Sequence, residues 1–326
     1  MPLSGPSSYV PTLTSFRSHW ETVDVELDSA GPFTISDPAN PDGPRLGIVV
    51  MDDLINELQG FADYISDQVA RGDVADAALA EAKRAALDAA QEFGRKVRED
   101  GRLRHLAPRL PVLPNVTEGE GPFMNAMTSV RSRWSQANAL LPAPLLLSSG
   151  ETQVQFAARI TTLGTKFAEA EDADVDAAVG RSRRNEVQDR AREVLASYRA
   201  AIEGRFPPGS PLVTSLPRIY PQPGHTPDPV SAAGTWDAAQ SKARLTWSAS
   251  TDAELDHYDI RSSNSGSTYD TETESTLGSV AKDASPLEYL TAAGLGATGA
   301  SARFRIYVVL TTGNERGSET VTVTRP

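Results

Sequence analysis

The sequence predicts an α + β multidomain protein, a duplicated antiparallel helical bundle followed by a β-sandwich. Three observations carry this. A short pattern around a tryptophan occurs twice in the N-terminal two thirds of the chain. A run of prolines follows the second occurrence. Beyond it the apolar residues change from helical spacing to strict alternation.

The repeat opens with LTSFRSHW at 13–20 and MTSVRSRW at 127–134. Thr14, Ser15, Arg17, Ser18 and Trp20 recur 114 residues later as Thr128, Ser129, Arg131, Ser132 and Trp134. Each copy closes on a related segment, GRLRHLAPRLPVLP at 101–114 and GRFPPGSPLVTSLP at 204–217. Between these ends run amphipathic stripes: Leu54, Leu58, Phe61 and Ile65 step like Phe156, Ile160, Leu163 and Phe167. Ala86, Ala90, Phe93 and Val97 are matched by Ala191, Leu195, Tyr198 and Ile202. Such steps are those of a helix with one buried face. Asp73-Val74 and Asp174-Val175 separate the stripes and read as acidic turns, with Asp capping the helix that follows. Each copy is therefore expected to hold a short helix bearing a Trp, a long antiparallel helix pair and a Pro-rich exit.

The copies span 1–120 and 121–216. The first is longer, with the additional residues in the Pro-, Gly- and Asp-rich stretch 24–47, a loop or small hairpin. Two helices cannot bury both of their apolar stripes alone. The copies are expected to pack as one bundle with pseudo-twofold symmetry, and Trp20 and Trp134 to sit in its core. Residues 217–229 form a linker, within a segment carrying Pro217, Pro221, Pro223, Pro227 and Pro229. That composition is stiff and extended, and is expected to hold the last domain at a set distance.

From 230 to 326 the period is two. Ala243, Leu245 and Trp247 alternate with polar neighbours, as do Phe304, Ile306 and Val308, and then Val321 and Val323. Turns are expected at Asn264-Ser265-Gly266 and at Gly313-Asn314. Several short strands with regular turns over such a length indicate a β-sandwich.

These segments resemble the fibronectin type III family. ARLTW at 243–247 looks like its second strand, with Trp247 at the core tryptophan position. LDHYDI at 255–260 looks like its third strand, and FRIYVVLTTGNERGSETVTVT at 304–324 like its last two strands and their hairpin. Phe304 stands where the family usually has a tyrosine, so a corner hydrogen bond made by that hydroxyl is missing. The resemblance implies a fold and assigns no activity. The whole chain also resembles uncharacterised bacterial proteins in which a helical duplication precedes such a domain.

Composition narrows the function. The net charge is −12, and both the first 224 residues and the remainder are acidic. Neither half offers the basic field that nucleic acid or an anionic membrane surface requires. There is no cysteine, hence no disulfide framework and no thiolate metal site. No basic stretch followed by an apolar run is seen near the start, so no signal peptide is expected. No transmembrane segment is expected either, and the compartment stays open between cytoplasm and export by a non-classical route.

No catalytic, cofactor-binding or metal-ligating residue is assigned. His19, His105, His225 and His257 are scattered and match no metal spacing. Asp172, Asp174 and Asp176 begin like a calcium loop, but Ala177 and Arg183 stand where glycine and glutamate are needed. Charge at a helix start explains the run better. Asp252, Glu254, Asp256 and Asp259 flank the expected third strand and form a solvated loop or, less expected, a cation site. Arg71-Gly72-Asp73 falls at the expected helix turn. Arg95, Lys96, Arg98, Arg102, Arg104 and Arg109 complement a helix C-terminus or face acidic surfaces, as does the smaller run Arg181, Arg183 and Arg184.

The resulting expectation is a non-enzymatic structural or interaction protein. It would be a subunit of a larger or self-associating assembly, presenting the sandwich on a helical base to a protein partner. The alternative is a carbohydrate- or ligand-binding module with Tyr258, Tyr269, Tyr289 or Trp236 as an aromatic platform. No cofactor is expected.

Overall fold

Two helices of unusual length organise the first two thirds of the chain. The computed structural model describes residues 2–263 and 268–326. After α1 (Tyr9–Leu27) comes α2 (Val49–Glu99), then α3 (Glu120–Leu140), α4 (Gln153–Arg205) and the single turn α5 (Pro211–Thr214). The turns expected at Asp73-Val74 and Asp174-Val175 do not exist. Both positions lie inside continuous helices of 51 and 53 residues. The segments that follow, rich in Ala, Glu and Arg, are strong helix formers. One glycine at 72 and one aspartate at 73 or 174, without a proline, do not stop such a helix. Each stretch between short helices is thus one helix and not an antiparallel pair.

The chain divides into two compact units, Met1–Asp67 with Ala177–Pro326, and Gln68–Asp176. In the first, α1 packs its stripe of Leu13, Phe16, Trp20 and Val23 against Leu54 and Leu58 of α2 and Ala191, Leu195, Tyr198 and Ile202 of α4. In the second, α3 packs Met127, Val130, Trp134 and Ala137 against Ala86, Ala90, Phe93 and Val97 of α2 and Phe156, Ile160 and Leu163 of α4. Each core is therefore built from three helical segments.

The local chemistry of the two tryptophans is the same. Trp20 is fully buried, stacks on Tyr198 at 4.5 Å and donates its indole N–H to the Phe33 carbonyl. Trp134 is fully buried, stacks on Phe93 at 5.0 Å and donates to the Leu145 carbonyl. One turn on, Asp24 accepts from the Phe33 N–H and Asn138 accepts from the Leu145 N–H. In both cases a side chain at the helix end holds the chain that doubles back over the indole. In 24–47 the longer excursion carries the isolated bridges Ile35–Leu46 and Asp37–Asn40, a small hairpin-like loop.

The C-terminal region is antiparallel β-structure. A three-stranded sheet has the order β1 (Ala232–Asp237), β2 (Lys242–Trp247), β5 (Glu288–Thr291). A five-stranded sheet has the order β4 (Glu274–Ala281), β3 (Leu255–Ser263), β6 (Ser301–Leu310), β7 (Glu315–Gly317), with β8 (Val321–Thr324) also on β6. Residues of both sheets share one core: Ala243, Leu245 and Trp247 from β2, Tyr258 and Ile260 from β3, Phe304, Ile306 and Val308 from β6. Period-two alternation puts these on one side of each strand. The Tyr258 hydroxyl accepts from the Ser250 N–H, a hydrogen bond from a core aromatic to a loop. Gly313 takes φ +85° at the β6–β7 turn, where glycine has no steric penalty. The turn expected at Asn264-Ser265-Gly266 lies outside the described residues.

The proline-rich stretch is hydrogen-bonded to its surroundings over its first part, residues 217–222. Gln222 donates its N–H to the Thr312 carbonyl, and Asn314 donates back to the Gln222 carbonyl. Ile219 accepts from the Leu3 N–H, and Pro217 from Arg199. The prolines bring no donors of their own, and neighbouring loops pair the Gln222 N–H and the carbonyls of Pro217, Ile219 and Gln222. Among the described residues, no helix is long and apolar enough to cross a membrane.

Candidate functional site

The outer side of the five-stranded sheet carries a buried charge cluster. On β3 the residues pointing away from the apolar core are His257, Asp259, Arg261 and Ser263. In an exposed sheet these would meet water. Instead Asp259 is fully buried and Arg261 is 1% exposed. Register explains how partners arrive: Arg261 pairs across with Arg305 on β6 and Thr276 on β4, and Asp259 with Tyr307 and Ser279. β7 then adds Glu315.

Arg261 is the hub. Its two terminal nitrogens donate to Glu315 at 2.9 and 2.6 Å, to Glu274 at 3.1 Å and to Asp259 at 3.3 Å. Its guanidinium lies 4.0 Å from the centre of the Tyr307 ring. Tyr269 and Tyr307 both donate their hydroxyls to Glu274 at 2.8 Å. Ser7 donates to Glu274 and Ser4 to Glu315, each at 2.9 Å, so the segment before α1 closes the cluster. A buried ion set of this kind holds only when every lone pair is met.

The protonation states follow. Burial works against the charge on Arg261, but Glu315, Glu274 and Asp259 overcome it and hold the guanidinium more firmly protonated. Burial pushes the Asp259 carboxyl up, and His257, Ser279 and Arg261 outweigh this, leaving it below the usual carboxylate range. Burial, reinforced by Glu274, pushes the Tyr307 hydroxyl up to about 12 and raises Tyr269 further. The hydrogen bond to Asp259 raises His257 despite its burial. Chemically the arrangement is an electrostatic clamp, with the hub and both tyrosines each held in one protonation state at neutral pH.

A second clamp sits beside it. Arg184 on α4 is 4% exposed and donates at 2.5 Å to both the carbonyl and the carboxylate of Glu272, just before β4. Arg181 adds a looser ion pair with Asp270 at 3.5 Å. Two of the three arginines in the run 181–184 therefore hold the β3–β4 connection.

The other residues singled out in the sequence are placed as follows. Asp172, Asp174 and Asp176 lie in the middle of α4 and not at a helix start, so the dipole explanation does not apply to them. Arg71-Gly72-Asp73 lies within α2, where Arg71 pairs with Asp176 at 3.4 Å, and not at a turn. Lys96 and Arg98 occupy the last turn of α2, and Arg102 pairs with Asp100. The acidic run 252–259 is divided between two histidines: Asp252 accepts from His225 at 2.6 Å with Glu254 3.9 Å from the same ring, and His257 lies 2.9 Å from Asp256 and 3.2 Å from Asp259, which also faces Arg261. Among the described residues, no group of three or more His, Asp or Glu is placed to hold a metal ion.

The aromatic platform is not assembled. Tyr258 is core, Tyr269 and Tyr289 donate to Glu274 and to the Leu277 carbonyl, and Trp236 lies under Arg325. Arg261, Glu274, Glu315, Ser4 and Ser7 carried no signal in the sequence beyond an alternating polar face on β3.

No protein-family model and no curated protein matches the chain. Among solved structures, an Fn3-like protein from Clostridium thermocellum matches at 21% identity and TM-score 0.24, over 31% of this chain and 96% of that one. The pectate lyase PelI from Erwinia chrysanthemi, solved with tetragalacturonic acid, matches at 13% identity and TM-score 0.24, over 29% of this chain and 28% of that one.

Proposed function

We propose that this chain is a non-enzymatic structural or interaction protein, a subunit of a larger or self-associating assembly. In it a fibronectin type III-like sandwich, residues 230–326, is carried on a duplicated helical base formed by 1–120 and 121–216. The observation that carries the reading is the Arg261 cluster. Ser4 and Ser7 reach from the N-terminal segment onto Glu315 and Glu274, so the sheet is clamped to the segment that leads into α1. Buried charge spent on holding a sheet in place serves a protein that must present a surface in one orientation.

Three further features support it. The strand order β1-β2-β5 in one sheet and β4-β3-β6-β7 in the other, with β8 also on β6, supports a sandwich of this kind. The paired indole contacts of Trp20 and Trp134, 114 residues apart in the chain, support duplication. The charged groups of the cluster are taken up by one another: Arg261 bonds Glu315, Glu274 and Asp259, and Tyr269 and Tyr307 donate to Glu274.

Native mass by light scattering, with negative-stain imaging across concentration and salt, tests the assembly. Regular particles or filaments at micromolar concentration are expected. A monomer under every condition refutes self-association.

A further inference from the structure

The second unit, Gln68–Asp176, carries its charge in two opposite blocks. Residues 68–82 of α2 and 167–176 of α4 hold eight Asp+Glu and one Arg. A Cβ at Gly72 would lie 3.7 Å from Ala173, and Arg71 pairs with Asp176, so these two acidic stretches run side by side. Residues 93–117 and 121–150 hold eight Lys+Arg and two Asp+Glu. They meet at the other end of the unit: Arg133 donates to the Arg109 carbonyl, and Lys96 and Arg102 share a cleft with Leu141 and Leu146.

The blocks do not cancel within one chain. Val74 and Val97 lie on the same continuous α2, roughly 35 Å apart along its axis. Charges are screened from each other over about 10 Å at 0.1 M salt. Local pairing does not cancel them either. Among the described residues, no ion pair reaches Asp73, Asp76, Glu81, Glu171, Asp172 or Asp174 in the acidic block. None reaches Arg95, Arg98, Arg104, Arg109 or Arg131 in the basic one. All of these side chains are exposed. The α2 dipole accounts for Lys96 and Arg98 in its last turn, but Arg104, Arg109 and Arg131 lie off that helix.

The basic end also exposes apolar surface. Its cleft of ≈ 400 Å³ is lined by Leu141, Pro142, Pro144 and Leu146 beside Lys96 and Arg102. Leu140 and Leu146 are each about half exposed. Apolar contact rimmed by charge is the composition of a protein interface. A long polyanion is a poor occupant, because the rest of a chain of net charge −12 repels it. The acidic block of a second copy supplies an anionic protein face with as many carboxylates as the basic end has cations.

We infer that the basic end of the second unit in one copy docks on the acidic stretches of α2 and α4 in a second copy. This rests on the self-association proposed above and names the two surfaces that carry it. Each copy offers both surfaces, so one chain donates and accepts at once.

The test is the mass of the full-length chain by light scattering over a dilution series, at about 50 and about 500 mM NaCl. Wild type is expected to associate at least about tenfold more weakly at the higher salt. Arg95→Glu with Arg98→Glu and Arg104→Glu reverses the basic end. Asp73→Lys with Asp76→Lys and Asp172→Lys reverses the acidic stretch. Each triple variant alone is expected to associate at least about tenfold more weakly than wild type. An equimolar mixture of the two should recover wild-type strength, because each reversed surface then meets its opposite. Circular dichroism checks that the variants keep their helices, and the salt series on wild type stands without them. Equal association at both salts, or a mixture of folded variants no stronger than its components, overturns this interface and leaves self-association standing. So does a loss confined to the basic-end variant, which would place the anionic partner elsewhere. A wild-type monomer throughout overturns both.

Discussion

Arg261 and Glu315 face each other through two hydrogen bonds of 2.9 and 2.6 Å, with Arg261 almost wholly removed from water. Neither group tolerates loss of the other. Arg261→Met removes the positive charge and leaves Asp259, Glu274 and Glu315 mutually repelling. A loss of about 3–5 kcal/mol is expected, the usual cost of breaking a buried ion pair from one side. The triple change Arg261→Met with Glu274→Gln and Glu315→Gln removes that repulsion and is expected to recover part of the loss. Urea unfolding followed by circular dichroism reads both; a triple variant no better than the single one contradicts the account.

Arg184 and Arg181 look alike in sequence and differ in the fold. The first is buried and makes two short charge-assisted bonds to Glu272; the second is half-exposed, 3.5 Å from Asp270. Arg184→Ala is expected to cost about 1–3 kcal/mol and Arg181→Ala about 0–1 kcal/mol. Hydrogen exchange at Thr273–Thr276 should accelerate in the first variant and stay unchanged in the second. Equal effects would mean that burial does not distinguish them.

The difference between those arginines shows where sequence reading stops. The tryptophan repeat was legible because identical residues recur at one offset, and β2 because Ala243, Leu245 and Trp247 alternate. The continuity of α2 and α4 was misread because Gly72-Asp73 imitates a helix end, while the strongly helix-forming residues after it carry the helix on. The covered face of β3 was illegible for a different reason. Asp259 and Arg261 are charged, and an alternating charged face ordinarily means water. Only contacts across long sequence separations, Ser4 with Glu315 or Arg184 with Glu272, reveal that this face is closed.

Two helical glycines should respond oppositely to alanine. Gly60 on α2 has no neighbour within 4 Å of an added Cβ, so Gly60→Ala gains helix propensity at no steric cost. A stabilisation of about 0.5–1 kcal/mol is expected. At Gly180 on α4 the new carbon would lie 2.9 Å from the Tyr64 ring and 3.0 Å from Ile65. Tyr64 is partly exposed and can turn aside, but Ile65 is fully buried. Gly180→Ala is therefore expected to be less stable than Gly60→Ala by about 2 kcal/mol. Denaturant midpoints of the two variants in one buffer decide it; a Gly180→Ala chain as stable as Gly60→Ala would show that α4 shifts freely.

His19 and His257 should shape opposite flanks of the stability profile. The Nε2–H of His19 donates to the Leu212 carbonyl at 2.9 Å, and its Nδ1 accepts the Tyr198 hydroxyl at 2.7 Å. That arrangement needs the neutral ring, and burial lowers the His19 pKa despite the carbonyl. The unfolded chain then takes up a proton that the folded one refuses. Stability from His19 is complete above the unfolded value of about 6.5 and falls as pH drops through it. For His257 the hydrogen bond to Asp259 raises the folded pKa, so its contribution is present below about 6.5 and lost as pH rises through the higher folded value. His19→Gln should flatten the decline in melting temperature between about pH 7 and pH 5 and leave the alkaline side unchanged. His257→Gln should lose stability by a constant amount on the acid side and flatten the decline above about pH 6.5, leaving the acid slope unchanged. An acid slope identical in wild type and His19→Gln would mean that His19 is protonated in its buried site and that the Tyr198 hydroxyl does not donate to it.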